Sequence, residues 1–213
     1  MHVVITGANR GIGLGLARRY SEAGHTVTGT SRDGSAGVRL DVTDPAQQAD
    51  MARQLSGQPV DLLICNAGVY LDKGQGLETG FPAEMWAETF AANVTGAFLT
   101  IQSLLPNIRQ AHGRIAIISS QMASQTLAPG GSYIYRASKA AVLNLGRNLA
   151  RDLEPDGIPV GIYHPGWVRT DMGGGAADIT TDDAASGLIT RFDELDLENT
   201  GCFLTWDGRT HPF

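Results

Sequence analysis

The sequence has little cysteine, little lysine and no excess of positive charge. The shortage of cysteine and the negative net charge each exclude a class of protein. Its two cysteines, Cys65 and Cys202, form no CxxC pair and no ligand spacing, so we expect neither a disulfide framework nor a metal site. Cys65 lies in an apolar run and is expected to be a buried structural thiol. The formal net charge of −6 argues against nucleic-acid binding, which needs a basic surface.

Long hydrophobic runs and a leader sequence are also missing. No stretch approaches the roughly 20 apolar residues of a membrane-spanning helix. The chain enters its first apolar run, Val3–Ile5, without a basic segment or a cleavage site. We therefore expect a cytoplasmic protein that does not bind a membrane. With 213 residues, of which 42% are hydrophobic, a single domain over residues 1–213 is expected to bury its own core.

The sequence does contain a regular alternation of short apolar runs and amphipathic stretches. Helices are predicted over 12–20, ending before Gly24, over Pro82–Leu105, ended by Pro106, and over Ala137–Leu153. Strands separated by helices predict an α/β fold with a single Rossmann-type, doubly wound parallel sheet of about seven strands. The predicted strands share the near-continuous apolar character of strands covered on both faces: Val3–Ile5, Val27–Thr30, Val38–Leu40, Leu62–Cys65, Ile115–Ile118, Val160–Tyr163 and Cys202–Thr205.

Three connections are predicted to be irregular. Arg32–Gly37 is too short for a helix, so the crossover between the second and third strands is abbreviated. Asp72–Thr79 and Gly173–Thr181 are rich in glycine and polar residues, which favour loops. We expect the second of these loops to be mobile.

A glycine-rich turn follows the first predicted strand and precedes the first predicted helix. Gly7 allows the tight bend, Gly11 lets the backbone approach a pyrophosphate, and Gly13 lets the helix pack closely on the strand. The helix N-terminus then offers free N–H groups to the phosphates. This context predicts dinucleotide binding, with a purely structural turn as the alternative. The residues expected at the cofactor are Gly7, Asn9, Arg10, Gly11, Ile12 and Gly13.

A tyrosine and a lysine, Tyr135 and Lys139, are spaced to share one face of a helix. The ordinary pKa of a phenol is near ~10, which makes tyrosine a poor acid–base group at neutral pH, and a nearby ammonium lowers that pKa. A general acid for a carbonyl oxygen needs this property. Tyr133 lacks such a partner, because Ala137 follows it at the equivalent spacing. The alternative is an ordinary surface pair, although Lys139 is one of only two lysines in the chain.

Together these motifs resemble the short-chain dehydrogenase/reductase family. Thr6–Gly13 is similar to its TGxxxGIG signature and Tyr135–Lys139 to its YxxxK signature, and the likeness extends from residue 3 to about residue 205. The segment Tyr133–Lys139 and the ending Trp206–Gly208 resemble a small branch of the family. That branch contains carbonyl reductases and the proteins called C-factor and sniffer.

The resemblance implies a catalytic set of Asn93, Ser120, Tyr135 and Lys139. Ser120 matches the serine that hydrogen-bonds the substrate oxygen, and Asn93 matches the asparagine that holds a proton-relay water. The interval from Ser120 to Tyr135 is two residues longer than in typical members. It is therefore open whether Ser119 or Ser120 faces the substrate. Met122 stands at the typical interval and cannot do this chemistry.

The resemblance also assigns residues to the dinucleotide. A segment after the fourth strand matches the NAG motif, two residues after the third strand would contact the adenine, and a segment after the sixth strand matches the motif beside the nicotinamide. These residues are Asn66, Ala67 and Gly68, then Asp41 and Val42, then Pro165, Gly166, Val168 and Thr170. Tyr135 and Lys139 would also contact the cofactor. His164 is expected to be a strand-end residue rather than a catalyst.

The end of the second strand favours NADP over NAD. Ser31 stands where NAD-dependent members often carry an aspartate, and Arg32 stands where NADP-dependent members carry an arginine for the 2′-phosphate. Arg10 in the glycine turn adds a second positive charge. NAD stays the alternative because Asp33 follows directly.

The expected function is that of an NADP-dependent oxidoreductase that reduces a small aldehyde or ketone, or oxidises the alcohol. Four apolar side chains, Tyr70, Met122, Trp167 and Met172, are candidates for the substrate wall and favour an uncharged substrate, although each is as compatible with the core. One alternative is a dinucleotide-binding redox-sensing or signalling module with little turnover. Another is an extended-family epimerase or dehydratase, which needs a larger substrate domain. We also expect a homo-oligomer, a dimer or tetramer formed through the two long helices.

Overall fold

A sheet of seven parallel strands forms the centre of the computed structural model, which describes residues 1–78 and 80–213. The strand order is β3-β2-β1-β4-β5-β6-β7, and every neighbouring pair is parallel. The prediction of a doubly wound parallel sheet is therefore confirmed. The strands are β1 His2–Thr6, β2 Thr26–Ser31, β3 Gly37–Arg39, β4 Leu62–Cys65, β5 Arg114–Ile118, β6 Val160–His164 and β7 Phe203–Thr205.

Helices cover both faces of this sheet. Successive strand residues point to opposite faces, so Val3 packs with the apolar side chains of α1 and α6, while Val4 packs with those of α2, α4 and α5. Cys65 belongs to the second group and is buried, as its apolar run predicted. The helices are α1 Gly11–Glu22, α2 Pro45–Gln54, α3 Ala83–Phe90, α4 Gly96–Ala111, α5 Tyr133–Leu153 and α6 Thr181–Asp193.

The helical stretch predicted over Pro82–Leu105 does not end at Pro106, so this part of the prediction is wrong. A π-helical turn at Ala91–Thr95 joins α3 to α4, and α4 continues past Pro106 to Ala111. Proline removes the N–H that would bond the carbonyl of Gln102, four residues earlier. Both residues are exposed, so water can satisfy that carbonyl and the helix tolerates the proline.

The start of α5 also differs from the prediction. The helix begins at Tyr133 rather than at Ala137. Ser132, directly before it, has a left-handed backbone with φ of 48° and offers no side-chain cap. Tyr135 therefore lies in the first turn of the helix, close to its N-terminal end.

Two helices, α2 and α6, were not predicted, although each carries a capping signal. The Asp44 carboxylate accepts hydrogen bonds from the first free N–H groups of α2, and Pro45 occupies the first helical position. The Thr180 hydroxyl accepts from the N–H of Asp183 at the start of α6. α2 has few large apolar residues, which weakened its periodic signal, whereas α6 does carry a helical spacing in Ala184, Leu188 and Phe192 that the prediction overlooked.

The three predicted loops are observed, in part with more order than expected. The β2–β3 connection is a short turn, and the loop after β4 was predicted over Asp72–Thr79, whose last residue lies outside the described residues. The segment predicted as the mobile loop Gly173–Thr181 is tied back. Ile179 forms an isolated bridge with Val168, and the Trp167 indole N–H donates to the carbonyl of Gly173. Its mobility stays a prediction.

The chain folds back along the outer edge of β7. Thr205 donates its N–H to the carbonyl of Arg209 and accepts the N–H of Gly208, at 2.8 and 3.0 Å. His211 donates its N–H to the carbonyl of Phe203 at 2.9 Å. Three outward-facing backbone groups of this edge strand, the Phe203 carbonyl and both groups of Thr205, are thus bonded within the chain.

Among residues 1–78 and 80–213, no helix has both the length and the apolar character that crossing a lipid bilayer requires.

Gly113 tests the packing between the end of α4 and the entry to β4. A Cβ at this position would contact the carbonyl oxygen of Val60 and lie 2.9 Å from that of Asp61. Because both are backbone atoms, we expect Gly113→Ala to lower the free energy of unfolding by about 1–3 kcal/mol. The control is Gly175→Ala, where nothing lies within 4 Å, with a change below about 0.5 kcal/mol. Urea unfolding measures both, and equal stability of the two variants would contradict the prediction.

Candidate active site

A cleft of ≈ 940 Å³ opens where the carboxyl ends of the central strands meet. Its centre lies between β1 and β4, where the strand order reverses, which is the usual position of a ligand site in open α/β sheets. Most of the predicted site residues line this cleft: Gly7, Asn9, Arg10, Gly11, Ile12, Arg32, Asp41, Val42, Asn66, Ala67, Gly68, Tyr135, Lys139, Pro165 and Thr170. The other predicted residues, Gly13, Asn93, Ser120, Gly166 and Val168, stand outside the lining.

The glycine turn has the geometry that its spacing predicted. Gly7 and Gly11 have φ of 66° and 54°, in the left-handed region that favours glycine. A Cβ on Gly13 would contact the carbonyl oxygen of Gly7 and lie 2.6 Å from Nδ2 of Asn66. The first turn of α1 therefore packs directly on the backbone of the glycine turn.

Asn66 and Thr6 brace this turn from the neighbouring strand. Nδ2 of Asn66 donates to the carbonyls of Thr6 and Gly7, at 2.9 and 3.1 Å. The Thr6 hydroxyl accepts the N–H groups of Asn66 and Ala67, both at 3.0 Å. The side chain of Asn66 thus holds β1 against β4, while its backbone lines the cleft.

Lys139 is buried, and its ammonium is bound to the end of β5. Nζ donates to the carbonyl of Ile118 at 3.0 Å, and burial lowers the pKa of Lys139 to about 8. The backbone carbonyl of the same residue accepts the hydroxyl of Ser119 at 3.0 Å. These two contacts fasten the middle of α5 to the strand end beside the cleft.

Tyr135 lies next to this lysine but is not bonded to it. Nζ of Lys139 is 5.6 Å from the centre of the Tyr135 ring. The sequence predicted that the ammonium lowers the pKa of Tyr135, whereas burial raises that pKa above its ordinary value, against a smaller lowering effect of the nearby Ser120 hydroxyl. The direction differs because the phenol is buried and because Nζ is bonded to the Ile118 carbonyl rather than to the phenol oxygen.

The serine that meets Tyr135 is Ser120. Its side chain is near enough to the Tyr135 phenol to lower that pKa, against the effect of burial, and its hydroxyl accepts the N–H of Met122 at 3.1 Å. Ser119 borders the cleft, yet its hydroxyl is occupied by the carbonyl of Lys139. The geometry therefore favours Ser120 as the partner of the tyrosine, and a short 3₁₀ turn over Gln121–Ala123 takes up part of the longer interval.

Asn93 lies in the π-helical turn between α3 and α4, and its side chain is fully engaged. Oδ1 accepts the N–H of Val69 at 2.8 Å, and Nδ2 donates to the Val69 carbonyl and to the Ser138 hydroxyl at 2.9 and 3.0 Å. The amide thus joins the segment after β4 to α5. A role in holding a relay water stays a prediction.

The residues after β6 form the opposite wall. Gly166 has φ of 88°, and Thr170 accepts the N–H of Gly173 at 3.0 Å. His164 packs edge-on against His211, and burial lowers the pKa of His164 to about 4. A neutral, buried imidazole is consistent with the strand-end role that the sequence predicted.

Two arginines stand at the ends of the cleft. Arg10 pairs with Asp171 at 2.8 Å, which joins the glycine turn to the segment after β6. Arg32 is exposed at the end of β2 and lines the cleft. The neighbouring Asp33 accepts the hydroxyls of Ser31 and Ser35, which lowers the pKa of Asp33 to about 2 and directs its carboxylate into the β2–β3 turn.

The proposed substrate wall is only partly brought together. The Tyr70 ring stacks on that of Tyr135, with centres 4.2 Å apart and planes at 21°, and Sδ of Met172 lies 4.0 Å from the Tyr135 hydroxyl. Trp167 is 47% exposed, with its indole N–H directed at the carbonyl of Gly173. Met122 contacts Ser120 through its backbone.

Sequence reasoning missed Asp72. This carboxylate is fully buried and accepts the N–H groups of Ile134 and Tyr135, at 2.9 and 3.2 Å, at the start of α5. Its sequence context is a polar, glycine-rich loop, which carries no signal that distinguishes a buried acid from a solvated one.

The sheet, the glycine turn at its switch point and the buried Tyr–Lys pair define a Rossmann-type oxidoreductase. Residues 1–179 match the family model described as short chain dehydrogenase. The chain belongs to the short-chain dehydrogenase/reductase family.

Known proteins of several organisms are similar to it over most of their length. C-signal of Myxococcus xanthus is 39% identical over 159 residues, which cover 73% of this chain and 93% of that protein. The NADPH-bound carbonyl reductase from chicken fatty liver is 29% identical with a TM-score of 0.90, covering 100% of this chain and 98% of that one. Sniffer of Caenorhabditis elegans is 30% identical with a TM-score of 0.87 and the same coverage of 100% and 98%.

Because Lys139 is buried, we expect the free energy of unfolding to change with pH in the alkaline range. Its pKa falls from 10.5 to about 8 on folding, so between these values the unfolded chain binds a proton that the folded protein does not. Relative to Lys139→Met, the wild-type free energy of unfolding should therefore rise, by on the order of 2 kcal/mol between about pH 8 and about pH 10. Lys73→Met, which replaces the exposed lysine, is the control and should keep the rise. Urea unfolding across this range measures it; parallel wild-type and Lys139→Met curves would contradict it.

Proposed function

We propose that the protein is an NADPH-dependent reductase of small aldehydes and ketones, able to catalyse the reverse oxidation of the alcohol. The observation that carries the proposal is the buried phenol of Tyr135, with Ser120 at its hydroxyl and Lys139 one turn further along α5. These three residues lie at the edge of a cleft large enough for a dinucleotide. The similarity to a carbonyl reductase solved with NADPH supports the same conclusion.

The residues of the cleft fit a dinucleotide. The backbone N–H groups at the start of α1 would hold the pyrophosphate, beside Gly7 and Gly11, whose positive φ values shape the turn. Asp41 and Val42 would contact the adenine, and Arg32 would bind the 2′-phosphate. On the other side of the cleft, the nicotinamide would be held by Pro165, Gly166, Val168 and Thr170, with Asn66, Ala67 and Gly68 beneath the ribose.

The chain's own residues supply the proton and stabilise the developing charge. When bound, the reduced nicotinamide supplies the hydride. Ser120 and Tyr135 hydrogen-bond the carbonyl oxygen, where negative charge develops in the transition state. Tyr135 is protonated at neutral pH, as any phenol is, and burial raises its pKa further, so it can donate its proton to that oxygen. The ammonium of Lys139, within 5.6 Å of the ring, stabilises the phenolate that results.

The side chains around the phenol favour a small and uncharged substrate. Tyr70 covers one face of Tyr135, and the Met172 thioether lies by its hydroxyl. Both present apolar surface, and Lys73, which approaches this wall, donates to the Met172 carbonyl instead of facing the phenol. An aldehyde or ketone with an apolar substituent suits such a wall.

The similarity to C-signal favours one alternative, a dinucleotide-binding signalling module with little turnover. Dinucleotide binding alone needs the glycine turn and its brace. It does not need a buried phenol beside Ser120. The two functions are separated by whether a bound nicotinamide is consumed.

Tyr135→Phe tests the reductase. We expect kcat for NADPH-dependent carbonyl reduction to fall by ~10²–10⁴-fold, because the proton donor is lost, while the NADPH Kd changes by less than about twofold. Absorbance of NADPH and its fluorescence on binding measure the two quantities. Tyr133→Phe, two residues earlier on the same helix and 39% exposed, is the control and should match the wild type. A Tyr135→Phe enzyme that keeps more than a few per cent of kcat would rule out the assigned role. NADPH binding to the wild type without consumption of any carbonyl would favour the signalling module.

Arg32→Ala tests the choice of cofactor. Loss of a charge-assisted bond to the 2′-phosphate should raise the KM for NADPH by about 10–100-fold and leave that for NADH within about twofold. The control is Arg53→Ala, which removes an exposed arginine of α2 that does not line the cleft. Steady-state kinetics with both cofactors measures the effect, and an equal change for NADPH and NADH would refute the assignment.

A further inference from the structure

Asp72 is a buried carboxylate without a cationic partner among the residues that the structure describes. Its exposed fraction is 0%, and no arginine, lysine or histidine of the described ranges forms a salt bridge with it. A buried ion is costly unless it is well hydrogen-bonded. What compensates Asp72 is the N-terminus of α5, through the N–H groups of Ile134 and Tyr135 and the positive end of the helix dipole.

The same segment makes a second contact with the start of α5. Tyr70, two residues before Asp72, stacks on the Tyr135 ring and shares a hydrogen bond with the hydroxyl of Ser132, the residue before the helix. Ser132 has a left-handed backbone and no side-chain cap of its own. The segment after β4 therefore supplies from a distance the cap that α5 lacks locally.

We propose that Asp72 is a positioning residue for Tyr135: by binding the first turn of α5 it holds the phenol against Ser120. This inference rests on the proposed function, in which Tyr135 is the proton donor. The two N–H groups it binds include that of Tyr135 itself, so no intervening residue separates the carboxylate from the backbone it fixes.

Asp72 also contributes to the electrostatic environment of the phenol. The groups that face Tyr135 are Tyr70 and Asp72 from the segment after β4, Ser120 from the loop after β5, Met172 from the segment after β6, and Lys139 from its own helix. Among them, the negative charge of Asp72 raises the pKa of Tyr135. Replacing Asp72 by a neutral residue should therefore lower that pKa as well as loosen the helix end.

Asp72→Asn in the full chain is the test. We expect kcat for carbonyl reduction to fall about 10–100-fold, because small displacements of a reacting group cost rates of this size. The KM for NADPH should stay within about twofold. In alcohol oxidation with NADP⁺, where the phenolate is the base, the acid limb of the pH–kcat profile should move to lower pH. A merely structural loss would not move this limb.

Asp44→Asn is the matched control, because Asp44 caps the start of α2 in the same way and lies outside the cleft lining. Its kcat and its pH limb should match the wild type. Tyr70→Phe is a second variant that removes only the hydroxyl bound to Ser132, and its kcat should fall about fivefold, the equivalent of one hydrogen bond. If Asp72→Asn does not fold, Tyr70→Phe becomes the test of whether the segment after β4 positions the start of α5. A wild-type kcat in Tyr70→Phe would then overturn the proposal.

Amide hydrogen exchange separates this inference from the proposed function. In Asp72→Asn, the amides of Ile134 and Tyr135 should lose protection while that of Val142, further along α5, keeps it. An Asp72→Asn enzyme with wild-type kcat and an unmoved limb overturns the inference and leaves the reductase standing. If the wild type consumes no carbonyl, the proposed function fails. Amide exchange in Asp72→Asn is then the only test of the positioning role. Unchanged protection of the Ile134 and Tyr135 amides would overturn that role, and a loss of protection confined to these two amides would support it.

Discussion

The hydrogen bonds between Thr6 and Asn66 are the contact on which the rest of the site depends. They join the ends of β1 and β4, the two neighbouring strands where the order of the sheet reverses, and they fix the carbonyls of Thr6 and Gly7. Gly13 can approach that backbone only because it has no side chain. The position of α1, and with it the direction of its free N–H groups, follows from this brace.

The chemistry of the cleft is set by what burial does to two ionisable groups. The pKa of Tyr135 rises and that of Lys139 falls, so the phenol favours its protonated form and the ammonium releases its proton more easily. Both changes come from the same exclusion of water. The ammonium is held by the carbonyl of Ile118, and the backbone of Tyr135 is held by the Asp72 carboxylate, so Lys139 and the phenol lie close together without a hydrogen bond between them.

The sequence predicted the parts of this structure that depend on local pattern. Each of the seven predicted strands overlaps an observed one. The central strands β1, β4, β5 and β6 were found because strands covered on both faces read as apolar runs, and the glycine turn was found because its spacing follows from backbone geometry. The end of α4 was not predicted correctly, because the free-energy cost of Pro106 within a helix depends on whether the carbonyl that loses its partner is exposed to solvent. The buried role of Asp72 was not predicted, because its hydrogen-bond partners are backbone N–H groups 62 and 63 residues further along the chain. The choice between Ser119 and Ser120 required the directions of two adjacent side chains.

The fold-back of the chain along β7 has a consequence for how copies of this protein meet in a crowded solution. An open edge strand is a template on which other strands add, and it is a common origin of aggregation. Here the outward groups of Phe203 and Thr205 are bonded to Gly208, Arg209 and His211, so a foreign strand would first have to displace them. This edge is thereby protected against the addition of a foreign strand.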